Sequence, residues 1–359
     1  DMKKSFAMSL VIGTGISILF TIAGLLFLKP ILHFLNVPKH LVPVAKGYIA
    51  IIIAGLFATF LYDACAATLR AIGDAVTPLI ILAISVALNI VGDLFFVVVL
   101  KTGVKGAAIA TVLAQIIAFV ICWIYMIRKY EILRLQKEEF KDPSPIMVKE
   151  MISAGMSMGF MSSLVNIGTL TLQTAINKLG KDIIIAHTAA RKITEIFMIM
   201  FSVFGQTMAT YCGQNYGAGK YDRIRQGLKA VLGIGCVFSV IIFILSHTIS
   251  PYLISFIASS KNKEVIYWGT QYLVYDMSFQ VVCVFIVILR NSLQGIGDQR
   301  TPVFSSFIEL AGKVVFTLVF VRRFGYWAVI WTEPVIWICM VIPLIVTAAG
   351  NPVLFGKQK

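Results

Sequence analysis

The chain has 359 residues, 58% of them hydrophobic and only 13% charged, with a mean hydropathy of +0.89. Soluble domains run near half apolar and a quarter charged, so this chain cannot cover a water-facing surface, which excludes most soluble enzymes and nucleic-acid binders. The formal net charge of +14 reads as lysine and arginine gathered in loops on one side of a membrane.

A helix crossing a bilayer needs about 20 mainly apolar residues. Such stretches run in chain order over residues 8–28, 48–69, 79–100, 107–127, 151–172, 183–211, 231–257, 267–289, 303–321 and 327–348. The short alternating segments of a membrane β-barrel are not seen. The predicted fold is an all-α membrane protein, a polytopic bundle of about ten transmembrane helices.

Between the fourth and fifth stretches, near-balanced charges with Pro143 and Pro145 predict a solvated connector. The predicted organisation is an N-terminal lobe over 1–127, a linker over 128–149, a C-terminal lobe over 150–349 and a tail over 350–359. Counted over alternate loops, basic residues favour the set that holds Lys3, Lys4, the linker, Lys357 and Lys359. That bias puts both ends of the chain in the cytoplasm. The six cysteines are scattered singly, without a CxxC pair or a histidine cluster, so neither a disulfide framework nor a metal site is expected.

Arg70-Ala71-Ile72-Gly73-Asp74-Ala75-Val76-Thr77-Pro78 recurs 224 positions later as Gln294-Gly295-Ile296-Gly297-Asp298-Gln299-Arg300-Thr301-Pro302. Upstream, Pro30 matches Pro251 at an offset of 221, and downstream Gly103 matches Gly325 at 222. Four helices of the first half therefore repeat in the second, in the same order and orientation. Such a parallel repeat describes two pseudo-symmetric lobes, as in several secondary transporters. In the doubled IGDxxTP, Gly permits a turn, Asp can cap it, and Thr-Pro opens the next helix. The second half has two helices, over 151–172 and 183–211, that lack a counterpart, so the repeat predicts two further helices ahead of residue 1.

With Gln214-Asn215-Tyr216-Gly217-Ala218, the doubled IGDxxTP and Asn89-Ile90-Val91-Gly92-Asp93, the chain resembles the multidrug and toxic-compound extrusion (MATE) family from its third helix to its twelfth. The resemblance implies two six-helix lobes and alternating access. It also implies export of amphipathic, usually cationic compounds, driven by sodium or proton entry. It implies a bacterial plasma-membrane protein, working as a monomer. Its partners are then the lipid bilayer and drug-like small molecules, with no nucleic acid, and it needs no cofactor beyond a coupling Na⁺ or H⁺.

Ionisable residues inside a bilayer are costly and become functional candidates by default. Asp93 follows Asn89 by one helical turn, which puts both on one face, and Thr111 lies on the next helix. A carboxylate, an amide oxygen and a hydroxyl suit a small cation; a buried carboxylate can equally carry a proton, or simply be tied by hydrogen bonds. The resemblance makes these three part of a first-lobe cation site, completed by an aspartate on the family's first helix. Asp63 either adds negative potential to that lobe or caps a neighbouring helix.

In the second lobe, Glu309 and Lys313 can pair within one helix. Together with Arg191, Lys192, Glu195, Asp276, Arg290 and Glu333 they form either a structural pairing network or a proton relay, and Gln173 offers a polar cavity contact. Relatives with a glutamate on the seventh family helix and an aspartate on the tenth differ from this chain around Val165 and Cys283. Gly155, Gly159, Met156, Met158 and Met161 fit either close packing against a neighbouring helix, the favoured reading, or an adaptable drug-binding wall. The competing reading is a lipid-linked saccharide flippase, which needs Arg191, Lys192, Arg290 and Lys313 to converge on a central cavity. A membrane enzyme would need a nucleophile–base set, and the four dispersed histidines supply none.

Overall fold

The computed structural model describes residues 2–34, 40–141 and 144–355. Among them, long helices follow one another without a strand: α1 (Met2–Phe34), α2 (Val42–Ala71), α3 (Val76–Asp93), α4 (Val104–Lys129), α5 (Pro145–Ile176), α6 (Lys181–Gly217), α7 (Tyr221–Ala258), α8 (Lys263–Ser278), α9 (Gln280–Gly295), α10 (Arg300–Val315), the short α11 (Val321–Phe324) and α12 (Tyr326–Gly350). Eight spans among the described residues are long and apolar enough to cross a membrane, and α8 with α9, bent by 50° at Phe279, makes a ninth. Helix α5 is 32 residues long, but its Ser, Thr, Gly and Asn dilute its apolar character. Pro143, Lys357 and Lys359, used above for the linker and the charge bias, lie outside the described residues.

The chain divides into two compact units, the first ending at Ser153 and the second beginning at Ala154. In the first, α4 packs against α2 and α3 through a buried stripe of small residues one turn apart, Gly106, Ala110, Ala114, Ala118 and Cys122. Small side chains let helix backbones approach where no hydrophobic effect drives association. The approach is close enough that a Cβ on Gly92 would meet the Cβ of Ala110 at 2.9 Å.

The segment after α4 is not the free connector its charge pattern suggests. Leu133 is fully buried in the first unit's core with Phe6, Tyr62 and Met126. Lys3 lies 3.9 Å from Glu139, and Ser5 donates to the Met147 sulfur at 3.3 Å. Leu133 and a pair of tethers dock a segment whose balanced charges suggest a solvated connector.

In the second unit, α6 packs on α7, α8 and α9 over a core that includes Phe201, Met208, Leu228, Ile242 and Tyr272. A Cβ on Gly295 would meet the Ala209 carbonyl oxygen at 2.6 Å, so α6 and α9 touch backbone to backbone. Gly155 and Gly159 do not play that part. A Cβ on either meets no atom within 4 Å, and Met156 and Met158 are exposed, which overturns the close-packing expectation for this stretch.

The repeat is visible in detail. Gly73 and Gly297 take φ of 94° and 95°, a region that only glycine enters freely. Asp74 and Asp298 then each accept from the backbone N–H and the hydroxyl of the threonine three residues on, Thr77 or Thr301. Both α3 and α10 end in a π-helical turn, Leu94–Val99 and Phe316–Phe320. Such turns are rare and frequently sit at functional sites.

Candidate functional site

In the first unit, the end of α3 carries Asp93 and Asn89. Asn89 donates from Nδ2 to Thr111 Oγ1 at 3.2 Å, and Thr111 in turn donates to the Ala107 carbonyl at 3.0 Å. Asp93 is half-buried at the entry to the π-helical turn, and its Oδ1 is buried without a hydrogen-bond partner among the described residues. An unpaired buried carboxylate oxygen is costly and needs a proton, a cation or a donor. The three residues are thus assembled on the α3–α4 face. Asp63 is exposed and makes no hydrogen bond or ion pair with Asp93, Asn89 or Thr111 among the described residues.

The second unit is far more ionic. Lys313 on α10 lies 2.7 Å from Glu309 Oε1 one turn earlier and 3.2 Å from Glu333 Oε1 on α12. It also donates to Thr169 Oγ1 on α5 at 3.1 Å. All three charged groups are buried. Asp276, wholly buried at the C-terminal end of α8, accepts from Thr194 Oγ1 at 3.4 Å and from Gln280 Nε2 at 3.1 Å across the break at Phe279. Arg290 donates to Ser305 at 3.4 Å, and its Nε is buried without a partner among the described residues. Cys283 is buried against the Met198 sulfur.

Glu333 also borders a cavity of about 300 Å³, together with Thr169, Gln173, His187, Arg191, Lys192 and Glu195, among others. Arg191 lies 3.8 Å from Glu195 and beside Tyr272. His187 hydrogen-bonds the Tyr326 hydroxyl at 3.2 Å. Gln173 is bonded to Asn177 at 2.9 Å at the cavity wall. The sequence reading singled out the charged members of this network but missed Thr169, Thr194, Tyr272 and Gln280. Tyr272 and Gln280 each lie four residues from Asp276 and were legible as i,i+4 neighbours; Thr169 and Thr194 come from other helices and carry no local signal.

The two IGDxxTP turns differ in their surroundings. Asp74 Oδ2 accepts from Tyr130 at 2.7 Å and Tyr125 at 3.3 Å, with Lys129 3.7 Å away. Partial burial would raise the Asp74 carboxyl, but the bonds from Tyr130, Thr77 and Tyr125 outweigh it and hold the group down at about 2. At the second turn, Thr347 replaces Tyr125 as the partner, 3.4 Å from Thr301.

This paired architecture has a match among known proteins. The family model MatE matches residues 1–95 and 157–319. The chain belongs to the MatE family. It is 30% identical over 264 residues to the probable multidrug resistance protein YpnP of Bacillus subtilis (strain 168), covering 72% of this chain and 57% of that one. It is 21% identical to the multidrug export protein MepA of Staphylococcus aureus (strain MSSA476), over 92% of this chain and 73% of that protein.

Among solved structures, the fold is shared with an outward-facing MATE transporter of the MOP superfamily, at a TM-score of 0.83 and 19% identity over 96% of this chain and 80% of that one. A MOP superfamily transporter from Pyrococcus furiosus, described as having a binding pocket of reverse polarity, gives a TM-score of 0.70 at 17% identity, over 98% and 84%. The MatE chain described here is accordingly a multi-pass membrane protein with the two-lobed transporter fold.

Proposed function

We propose that this MatE chain is part of a cation-coupled antiporter that exports amphipathic, cationic small molecules by alternating access. In this reading it works as a monomer in the bacterial plasma membrane, with both ends of the chain in the cytoplasm. It uses no cofactor beyond the coupling Na⁺ or H⁺ and does not act as an enzyme. The observation that carries the reading is the buried, unpaired Oδ1 of Asp93 beside the Asn89–Thr111 pair. A cation or proton that binds there in one state of the transporter and not in the other shifts the population between states by its differential affinity. The named relatives support drug-like substrates, and the pairing of Lys313 with Glu309 and Glu333 speaks against a diphosphate-gripping flippase, because that ammonium is already neutralised.

The test is gradient-driven dye efflux by the full-length protein with Asp93→Asn. Efflux should fall to background at unchanged expression; efflux that persists overturns the assignment of Asp93.

A further inference from the structure

The internal repeat sets each group of the second lobe against one of the first. At the 224-residue offset of the IGDxxTP turns, Asn89 falls on Lys313, Ser85 on Glu309 and Asp93 on Thr317. At the 222-residue offset of the following glycines, Gly103 and Gly325, Thr111 falls on Glu333. The contacts obey the same register. The neutral Asn89–Thr111 bond between α3 and α4 becomes the Lys313–Glu333 ion pair between α10 and α12. The orphans coincide as well: Asp93 Oδ1 and Thr317 Oγ1 are both buried without a partner among the described residues.

We propose that Lys313 is a covalently tethered occupant of a second monovalent-cation site, whose oxygen ligands come from Glu309, Glu333 and Thr169. The inference rests on reading Asp93, Asn89 and Thr111 as an exchangeable cation site, and it assigns the equivalent place in the second lobe to a cation that never leaves. Three observations carry it beyond the symmetry.

The ammonium is held by oxygens from three helices, at 2.7, 3.2 and 3.1 Å, the kind of convergence a free cation needs. Its stem has a prepared path: a Cβ on Gly168 would lie 3.0 Å from Lys313 Cδ, so the glycine leaves room for the chain that delivers the charge. The third observation is the charge balance, which selects the valence. The bases facing the network are Arg191 and Lys192 on α6, Arg290 on α9 and Lys313 on α10. The acids are Glu195 on α6, Asp276 on α8, Glu309 on α10 and Glu333 on α12, while His187, Tyr272 and Cys283 complete the titratable groups. Four ionisable groups of each sign thus face the network. Removing the ammonium takes away a single positive charge, which a monovalent cation restores and a divalent one overshoots.

The consequence is that only the first lobe exchanges an ion, while the second is locked in the loaded condition. Replacing Lys313 by methionine tests this, because the side chain is one atom shorter and vacates the place of the ammonium. The variant is made in the full-length protein carrying Asp93→Asn, so that the first lobe cannot supply the response. Thermal unfolding is followed in detergent while sodium or methylammonium replaces choline at constant ionic strength.

Asp93→Asn/Lys313→Met should unfold early in choline and be raised saturably, by several degrees, by sodium or methylammonium. Asp93→Asn alone and Asp93→Asn/Lys313→Met/Glu333→Gln should not respond. A Lys313→Met protein that neither cation stabilises, whether folded or unfolded, overturns the proposal, and so does an equal response with Lys313 in place. Comparing Asp93→Asn with the unsubstituted protein reads the first-lobe assignment separately, so the two failures are distinguishable.

Discussion

Lys313 and Asn89 occupy the same register of an internal repeat, yet one is the buried centre of an ionic trio and the other a neutral donor to Thr111. The helix crossing is conserved between the lobes, but its chemistry is inverted. Two carboxylates held apart by one ammonium are stable together and unstable in part. Lys313→Met in choline should therefore cost about 3–5 kcal/mol, because it leaves two carboxylates facing each other. Glu333→Gln leaves the Glu309 pair intact and should cost about 1–3 kcal/mol. Thermal unfolding in detergent checks the order, and equal losses would contradict the trio as the organising unit.

The Asp74 turn makes a prediction about acid. Its folded-state carboxyl sits at about 2, below the ordinary 3.8. A depressed carboxyl contributes stability that is present above the ordinary value and is lost as pH falls through the folded one. The window is therefore from about pH 4 down to about pH 2, and after solvent screening the contribution is roughly 1 kcal/mol. Unfolding midpoints taken from pH 6 downward should show that increment in the native protein and not in Asp74→Asn.

Glycines that look alike in the sequence should behave oppositely. Gly295→Ala pushes a methyl into the Ala209 carbonyl and Cys212, and should destabilise by about 1–3 kcal/mol. Gly159→Ala meets nothing and removes a weak helix former, so it should be neutral or stabilising by up to about 1 kcal/mol. The same melting assay compares the two.

Thr111→Val keeps the shape of the side chain and removes the acceptor of the Asn89 amide. Efflux by this variant should need a steeper ion gradient at unchanged expression, measured as a rise of about tenfold in the half-saturating ion concentration for the loss of one charge-assisted ligand. An unchanged half-saturation would remove Thr111 from the site.

Much of this was legible along the chain. Apolar length marks the membrane spans, and the doubled IGDxxTP reports both the repeat and the caps that Asp74 and Asp298 make, because turn chemistry is local. Asn89 and Asp93 share a face by helical spacing alone. The docking of the linker was not legible, since it depends on Leu133 meeting a core built by α1, α2 and α4. Gly155 and Gly159 misled for the same reason: spacing announces a small residue but not what stands opposite it.

The sequence by itself determined the class, the duplication and the positions of the ionisable groups, all of which depend on composition and on neighbours within a few turns. Only the tertiary structure decided which charges cancel. Thr169, Glu309, Lys313 and Glu333 come from three helices, one of them, α5, far from the other two in the chain. Whether a buried carboxylate is paired, like Glu333, or keeps an unpaired oxygen, like Asp93, depends on distances of a few ångström across helix crossings. Coulomb energy in a low-dielectric interior changes steeply over those distances, and no periodicity within a single helix encodes them.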